Sequence, residues 1–156
     1  MPVKAIPDGY HSVTPYLYLS DSAAAIDFYG KAFGAVELFR MAMPGGGIAH
    51  AEIKIGDSTI MMSDENPQWG NKSPKTLGGA SGGFAIYLED VDAAFAKAVA
   101  AGATVMRPVM DQFYGDRSGT VIDPFGHTWT LSTHIEDVPP SEFQSRMEKM
   151  MSEHKA

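Results

Sequence analysis

The sequence predicts an α+β fold in which two βαβββ modules form cupped mixed sheets, with eight strands, two main helices and a short C-terminal helix. Two internal echoes lead to this expectation. Residues 21–34 and 90–102 each begin with aspartate, carry an apolar stripe and end with glycine. Residues 56–63 and 126–133 each begin with glycine and continue as a run typical of a strand. Because such repeats indicate a duplicated structural unit, we expect the functional site between the two copies.

The first module is predicted to span residues 10–64. Alternation over 12–19 indicates a strand with one apolar face and one face that carries Thr14, Tyr16 and Tyr18. Aspartate at a helix start and glycine at its end are typical caps. The remaining predicted elements are a helix from Asp21 to Gly34, a strand over 36–42, and a hairpin of strands 48–55 and 58–63. The inward stripe of that helix is Ala25, Phe28, Tyr29, Ala32 and Phe33.

The second module is predicted over residues 82–135, after a linker at 65–81 that is rich in glycine, proline, serine and asparagine. It repeats the order of the first module. Its predicted elements are a helix from Asp90 to Gly102 and strands near 83–88, 104–110, 117–122 and 128–133. The stripe of that helix is Val91, Ala94, Phe95, Ala98 and Val99. The tail, 136–156, is expected to hold the short helix, whose apolar stripe would pack on the body or on a second subunit.

The composition of the chain excludes several classes of function. The 156 residues carry a formal net charge of −7, which argues against a nucleic-acid partner. The charge has two interpretations, a solvated acidic surface, which we favour, or the attraction of a cationic ligand. The absence of cysteine excludes disulfides, thiolate nucleophiles and cysteine-based metal sites. No apolar run reaches the length of a membrane span, and residues 1–9 lack the apolar core of a signal peptide. We therefore expect a cytoplasmic protein with no membrane partner.

Several motifs resemble a known superfamily. They are Thr-Pro-Tyr-Leu at 14–17, His-Ala-Glu-Ile-Lys-Ile-Gly-Asp-Ser at 50–58, Tyr-Gly-Asp-Arg at 114–117 and Asp-Pro-Phe-Gly-His-Thr-Trp at 123–129. With the paired modules, they are similar to the vicinal oxygen chelate superfamily, and within it to the PhnB-like, glyoxalase/bleomycin-resistance-like proteins. The resemblance covers residues 10–135 and implies a single domain, a homodimer and a small-molecule cavity between the modules.

The enzymes of that superfamily bind a divalent metal through side chains on four strands. The positions that correspond to them in this chain are Thr14, Ile60, Gly83 and Thr130. None of these is a usual ligand for zinc, nickel or iron, which prefer imidazole and carboxylate donors. We therefore expect neither a metal nor another cofactor. An alternative metal site could begin with His50 and Glu52, which are two residues apart and so share one face of their strand.

The candidate ligand-binding residues are aromatic, hydroxyl-bearing or charged groups expected on the cupped faces or at their mouth. They are Thr14, Tyr16, Tyr18, His50, Glu52, Tyr87, Tyr114, Arg117 and Thr130. Arg117 has two interpretations, as a group that pairs with an anionic part of a ligand or as a member of an internal Asp–Arg pair that holds its loop. Trp69, in the linker, could close over the opening or pin the linker to the surface.

Three functions remain open from the sequence. The favoured one is metal-free binding of a small molecule, cationic or aromatic in character, as implied by the resemblance to bleomycin-resistance proteins. The second is a metal-dependent lyase or dioxygenase that uses His50 and Glu52. The third is a structural or regulatory protein whose cavity is vestigial. No catalytic residue is predicted, because no nucleophile triad, phosphate loop or dinucleotide motif is present.

Overall fold

The computed structural model describes residues 3–153, which form two four-stranded mixed sheets. The elements of the first module are β1 (Tyr16–Leu19), α1 (Ser22–Phe33), β2 (Val36–Ala42), β3 (Ile48–Ile55) and β4 (Ser58–Asp64). Their sheet has the order β1-β4-β3-β2, in which β1 runs parallel to β4 and the other neighbours are antiparallel. The predicted α+β fold of two βαβββ modules is confirmed.

The second sheet repeats this arrangement with the order β5-β8-β7-β6. The connection between the modules contains a 3₁₀ turn (Pro67–Trp69) and a short helix, α2 (Pro74–Leu77). The second module then consists of β5 (Gly83–Tyr87), α3 (Val91–Ala101), β6 (Thr104–Asp111), β7 (Asp116–Ile122) and β8 (Thr128–His134). A 3₁₀ turn (Pro140–Glu142) leads into α4 (Phe143–Glu153). Residues 154–156 of the predicted tail, among them His154, lie outside the described residues.

The two main helices begin and end where their caps predict. The Asp21 carboxylate accepts a hydrogen bond from the Ala24 amide at 2.9 Å, and Gly34 ends α1 in the left-handed region with φ 68°. Asp90 caps α3 in the same way through the Ala93 amide, at 3.0 Å. One part of the predicted stripe is wrong, because Val99 is 38% exposed on the outer side of α3.

The two modules share one core on the faces of the sheets that the helices cover. The rings of Tyr29 and Phe33 in α1 lie 5.2 and 4.9 Å from the ring of Trp129 in β8. Trp129 and Leu131 are almost fully buried, as the alternation along their strand predicts. The modules therefore pack through their helix-covered faces, which leaves the opposite face of each sheet open.

One buried carboxylate joins the modules and explains the Asp-Pro-Phe-Gly motif. Asp123 Oδ1 accepts hydrogen bonds from the amides of Phe125 and His127, each at 2.9 Å. Its Oδ2 accepts from the Tyr29 hydroxyl at 2.7 Å and from the Trp129 indole at 2.9 Å. Burial, and next the negative charge of Asp123, raise the pKa of Tyr29 well above its ordinary value. The turn after β7 is thus tied to the helix of the other module.

The C-terminal helix has an apolar stripe that is not buried in a single chain. No residue of α4 is buried, and Phe143 and Met151 are 36% and 51% exposed. Arg146 anchors the helix to the segment before it through Glu136 at 2.7 Å and Glu142 at 3.0 Å. Within residues 3–153, no helix is both long and apolar enough to cross a membrane.

Candidate functional site

Each sheet has a helix-covered face and a face that we call the open face. In the first sheet, Leu17 pairs with Met62 and both are buried beneath α1. Their neighbours Tyr16 and Met61 also pair with each other, and alternation turns them to the open face. Glu52 pairs with Met61 and therefore lies on the same face. The first open face thus carries most of the candidate residues of the first module.

A hydrogen-bonded network crosses the first open face. The Tyr16 hydroxyl lies 2.9 Å from Nδ1 of His50, and Nε2 of His50 lies 3.0 Å from Oε1 of Glu52. The Tyr10 hydroxyl, from the segment before β1, donates to Oε2 of Glu52. Both imidazole nitrogens and both carboxylate oxygens are therefore held in fixed positions by neighbouring side chains.

The network keeps Glu52 ionised. The hydrogen bond from Tyr10, supported by the one from His50, lowers the pKa of Glu52 below its ordinary value, although burial acts in the opposite direction. The same bond to Glu52 raises the pKa of Tyr10. The Glu52 side chain is only 15% exposed. A carboxylate that remains charged while largely shielded from water attracts a cation more strongly than one on an open surface.

Aromatic rings lie on the same open face as this carboxylate. The rings of Tyr16 and Tyr18 lie 5.4 Å apart, and those of Tyr16 and His50 lie 5.5 Å apart. Phe39 of β2 lies 6.3 Å from the His50 ring. A pocket of about 540 Å³ opens at Glu52, and these four rings are not part of its lining. Its lining consists of Ala5, Ile6, Pro7, Tyr10, His11, Ser12, Thr14, Glu52 and Met61.

A larger crevice of about 850 Å³ lies between the modules, bordered by β5 and by the turn that joins β3 to β4. Its lining is mainly apolar and includes Phe33, Ile60 and Trp129 from the core-facing side. Tyr87 is the candidate residue that borders it. We take the smaller pocket as the candidate site, because it is lined by Glu52, a shielded carboxylate whose two oxygens are both held by neighbouring side chains.

The second open face carries a different polar cluster. The Tyr87 hydroxyl donates to Asp116 at 2.7 Å, and His134 Nδ1 lies 2.8 Å from the other oxygen of Asp116. His134 Nε2 lies 3.0 Å from Asp137. The bond to Asp116 raises the pKa of Tyr87, burial and the charge of Asp116 add to this, and nearby Tyr114 contributes least. Bonds first to Asp116 and then to Asp137 raise the pKa of His134.

Tyr87, Tyr114 and Thr130 therefore group around the second open face, whereas Thr14, Tyr16, Tyr18, His50 and Glu52 group around the first. Thr130 lies 3.0 Å from the Thr120 hydroxyl. Within residues 3–153, no hydrogen bond or ring contact joins the two groups. The structure thus divides the candidate residues between two faces.

Arg117 lies away from both groups. It pairs with Thr133 on the helix-covered face of the second sheet, where its guanidinium contacts Asp92 at 2.7 Å and Asp111 at 2.8 Å. Of the two interpretations of Arg117, the structure therefore shows the internal Asp–Arg pair. The position of Arg117 corrects its expected place at the cavity mouth, because the register of β7 turns the side chain toward α3.

One of the four positions aligned with the superfamily's metal ligands also needs correction. Ile60 is 5% exposed in the core, whereas Met61 occupies the open face. The glycine echo misleads by one residue, because connections of different length make Gly56 and Gly126 70 positions apart whereas the helix N-caps Asp21 and Asp90 are 69 positions apart. Counted from those two N-caps, Met61 corresponds to Thr130.

The corrected set, Thr14, Met61, Gly83 and Thr130, offers two hydroxyls and a thioether. These do not fit a divalent metal of the kind the family's enzymes use. The alternative site has only His50 and Glu52, whose donor atoms bond to each other and to tyrosines. In the part of the chain that the structure describes, no three histidine, aspartate or glutamate side chains converge as a metal site.

Sequence reasoning missed several residues that contribute to these faces. They are Tyr10, Phe39, Met61, Arg107, Asp116 and His134. Alternation along β7 and β8 could have indicated Asp116 and His134, but the contact of Tyr10 with Glu52 joins segments that no periodicity relates. Trp69 is 79% exposed, so it does not pin the linker to the surface as expected.

The family of the chain follows from comparison with known proteins. The family described as Glyoxalase/Bleomycin resistance protein/Dioxygenase superfamily matches residues 10–131. The chain belongs to this superfamily. The predicted relationship is confirmed. The PhnB protein from Bacillus cereus is among the structures with the same fold, with a TM-score of 0.62 at 18% identity. The match covers 79% of this chain and 99% of that chain.

Two further proteins that this chain resembles come from Mycobacterium tuberculosis and from Micromonospora. An uncharacterised protein of Mycobacterium tuberculosis (strain ATCC 25618 / H37Rv) is 45% identical over 139 residues, which cover 87% of this chain and 82% of that protein. The crystal structure of TioX from Micromonospora sp. ML1 is 26% identical with a TM-score of 0.61. It covers 83% of this chain and 100% of that chain.

Proposed function

We propose that this superfamily member binds a small cationic molecule with an aromatic part in the pocket on its first open face, without a metal, and so sequesters it. The observation that carries the proposal is the position of Glu52, a shielded carboxylate that lines a pocket of about 540 Å³. That volume is in the range of small-molecule sites, roughly 300–1,000 Å³.

The charge of Glu52 supports a cationic ligand. Hydrogen bonds from Tyr10 and His50 fix the carboxylate, so it needs little reorganisation to receive a cation. The net charge of −7 favours the approach of cations to the protein as a whole. An ammonium or guanidinium group would therefore pair with Glu52 at small entropic cost.

The surrounding rings support an aromatic part. Tyr16, Tyr18 and Phe39 lie on the same open face as Glu52, and such rings attract both aromatic groups and cations. Met61, at the floor of the pocket, adds a flexible and polarisable contact surface. A flat cationic molecule would meet compatible groups on each side.

The donor set supports binding without a metal. The four positions aligned with the family's metal ligands provide no imidazole or carboxylate, and His50 uses both ring nitrogens within the network. A metal-dependent lyase or dioxygenase would first have to break those hydrogen bonds. Metal-free sequestration requires no such rearrangement, and it is the function that these residues support best.

A homodimer is part of the proposal. The outer strands β2 and β6 expose apolar side chains along both sheets. They are Val36, Leu38, Phe39, Met41, Val105, Met106 and Met110. A second copy that covers these strands would remove apolar surface from water and protect open sheet edges. The cytoplasmic location expected from the sequence stays a prediction.

Calorimetric titration tests the proposed ligand class. Protein treated with EDTA would be titrated with metal-free bleomycin and with proflavine, a flat cationic dye. We expect saturable binding of at least one probe and at least a tenfold loss of affinity in Glu52→Gln, which corresponds to about 1.4 kcal/mol for one charged contact. The matched control is Glu89→Gln, which removes the same charge at an exposed position.

Two results would overturn the proposal. One is the absence of binding by either probe and by a wider panel of cationic aromatic compounds. The other is equal affinity in the wild type, Glu52→Gln and Glu89→Gln, which would place binding elsewhere.

A further inference from the structure

The second open face differs in chemistry from the first. Strand pairing places Arg107 opposite Thr120 and Thr120 opposite Thr130. The next row places Ser118 opposite Ser132. Because residues that pair across neighbouring strands share a face, one cation and four hydroxyl groups lie together on this side of the sheet.

Two of these hydroxyls are buried without a partner. Ser118 is 3% exposed and Ser132 is 4% exposed, yet neither Oγ forms a hydrogen bond within residues 3–153. Both oxygens are still accessible to solvent. Among the described residues, the side-chain oxygen that is both sealed from solvent and unpaired is that of Ser22. Because neither oxygen is sealed from solvent and neither has a hydrogen-bond partner among the described residues, both are available to a ligand.

Arg107 is similarly available. Three of the four arginines are held by carboxylates, as Arg40 is by Glu37 at 2.6 Å. The Arg107 side chain forms no ion pair or hydrogen bond with any residue from 3 to 153, and the residue is exposed. A guanidinium with five free donors is the side chain best suited to bind a carboxylate or a phosphate.

We infer that the second open face binds an anionic group, a carboxylate or a phosphate, through Arg107 and the hydroxyls of Ser118 and Ser132. Hydroxyl groups can donate to anionic oxygens, and the guanidinium supplies the opposite charge. Asp116, an acid on this face, already accepts a hydrogen bond from Tyr87 and bonds to His134. Its engagement leaves the charge of Arg107 uncompensated.

This inference does not depend on the proposed ligand pocket, because it concerns a different sheet and different residues, but it requires that the proposed dimer leave Arg107 of β6 accessible. If the proposed function and this inference both hold, the two open faces recognise opposite charges. The physiological ligand would then carry a cationic aromatic part and an anionic part, or two copies of the chain would present the two faces to one such molecule.

NMR titration of the ¹⁵N-labelled full chain tests the anion site. Sodium phosphate and sodium benzoate would be added separately at constant ionic strength maintained with sodium chloride. We expect saturable shifts of the Ser118, Thr120 and Ser132 amides with one or both anions, and the stronger of the two identifies the group. In Arg107→Gln the dissociation constant should rise at least tenfold.

The matched control is Arg40→Gln, which removes a paired arginine from the other sheet and should leave the anion affinity unchanged. Ser132→Ala, a smaller change, should weaken anion binding severalfold. It provides the test if Arg107→Gln does not fold, as judged from a poorly dispersed spectrum. Equal affinity in the wild type, Arg107→Gln and Ser132→Ala would overturn the inference. Shifts that chloride alone reproduces would also overturn it.

Discussion

The link between the modules through Asp123 predicts a large loss of stability on substitution. Asp123 is 4% exposed and accepts four hydrogen bonds, two from backbone amides and two from the side chains of Tyr29 and Trp129. Asp123→Ala would leave the last two donors buried and unpaired, because these residues are 0% and 1% exposed.

The magnitude follows from those orphaned donors. An unpaired buried polar group costs roughly 1–3 kcal/mol, and hydrogen bonds to a charged acceptor are worth about 1.5–3 kcal/mol each. Relief of the burial penalty on the carboxylate offsets part of this sum. We expect Asp123→Ala to lower the free energy of unfolding by about 3–5 kcal/mol. For a chain of this size, that corresponds to a fall in Tm of roughly 6–20 °C.

Urea denaturation followed by tryptophan fluorescence would measure this loss, with Tyr29→Phe as the matched variant. Tyr29→Phe removes one of the four hydrogen bonds and leaves three, so it should cost only about 1–2 kcal/mol. An Asp123→Ala protein that loses less than about 1 kcal/mol, or less than Tyr29→Phe, would refute the assignment of Asp123 as the link between the modules.

Three further predictions concern the polar clusters. Tyr10→Phe should raise the pKa of Glu52 toward its ordinary value, because the hydrogen bond from Tyr10 is the main cause of the lowered pKa. NMR titration of the carboxyl groups would measure this change, and an unchanged pKa would contradict the network. The raised pKa of His134 means that its bonds stabilise the fold fully below about pH 6.5 and that this stability is lost as the pH rises through the folded pKa. The Tm difference between wild type and His134→Gln should therefore be larger at pH 5.5 than at pH 9, and a reversed order would refute this sign. Arg117→Ala should lower the Tm by a few degrees while leaving proflavine and phosphate affinities unchanged, and a selective loss of affinity would return Arg117 to the binding site.

The local features of the fold were predictable from the sequence because short-range rules determine them. Asp21 and Asp90 cap their helices, and alternation assigns Tyr16, Tyr18 and Tyr87 to the open faces. Such rules involve neighbouring residues only. They are therefore sufficient for helix ends and for strand faces, which are set within a few positions along the chain.

The arrangement of the candidate site was less predictable. The error at Ile60 arose from hairpin loops of different length, which shift the register by one residue and so reverse the face. Tyr10 meets Glu52 across 42 positions of sequence, a contact that no local pattern specifies. Arg117 has carboxylates on either side of its strand, so its partners depend on how α3 packs.

The oligomeric state is accessible to light scattering of the purified chain. We expect a mass of twice the 16.8 kDa of one chain, because a second copy would cover the exposed apolar strands β2 and β6. Leu38→Arg, on β2, should shift the mass toward that of one chain. A wild-type protein that remains at the mass of one chain at high concentration would contradict the proposed dimer.

Metal content tests the central claim of metal-free binding most directly. Protein purified without a histidine tag would be assayed by plasma mass spectrometry, before and after dialysis against EDTA. The donor set at Thr14, Met61, Gly83 and Thr130 predicts well under one equivalent of any transition metal per chain and unchanged proflavine affinity after dialysis. Close to one equivalent of a single metal, with loss of proflavine binding on its removal, would contradict it.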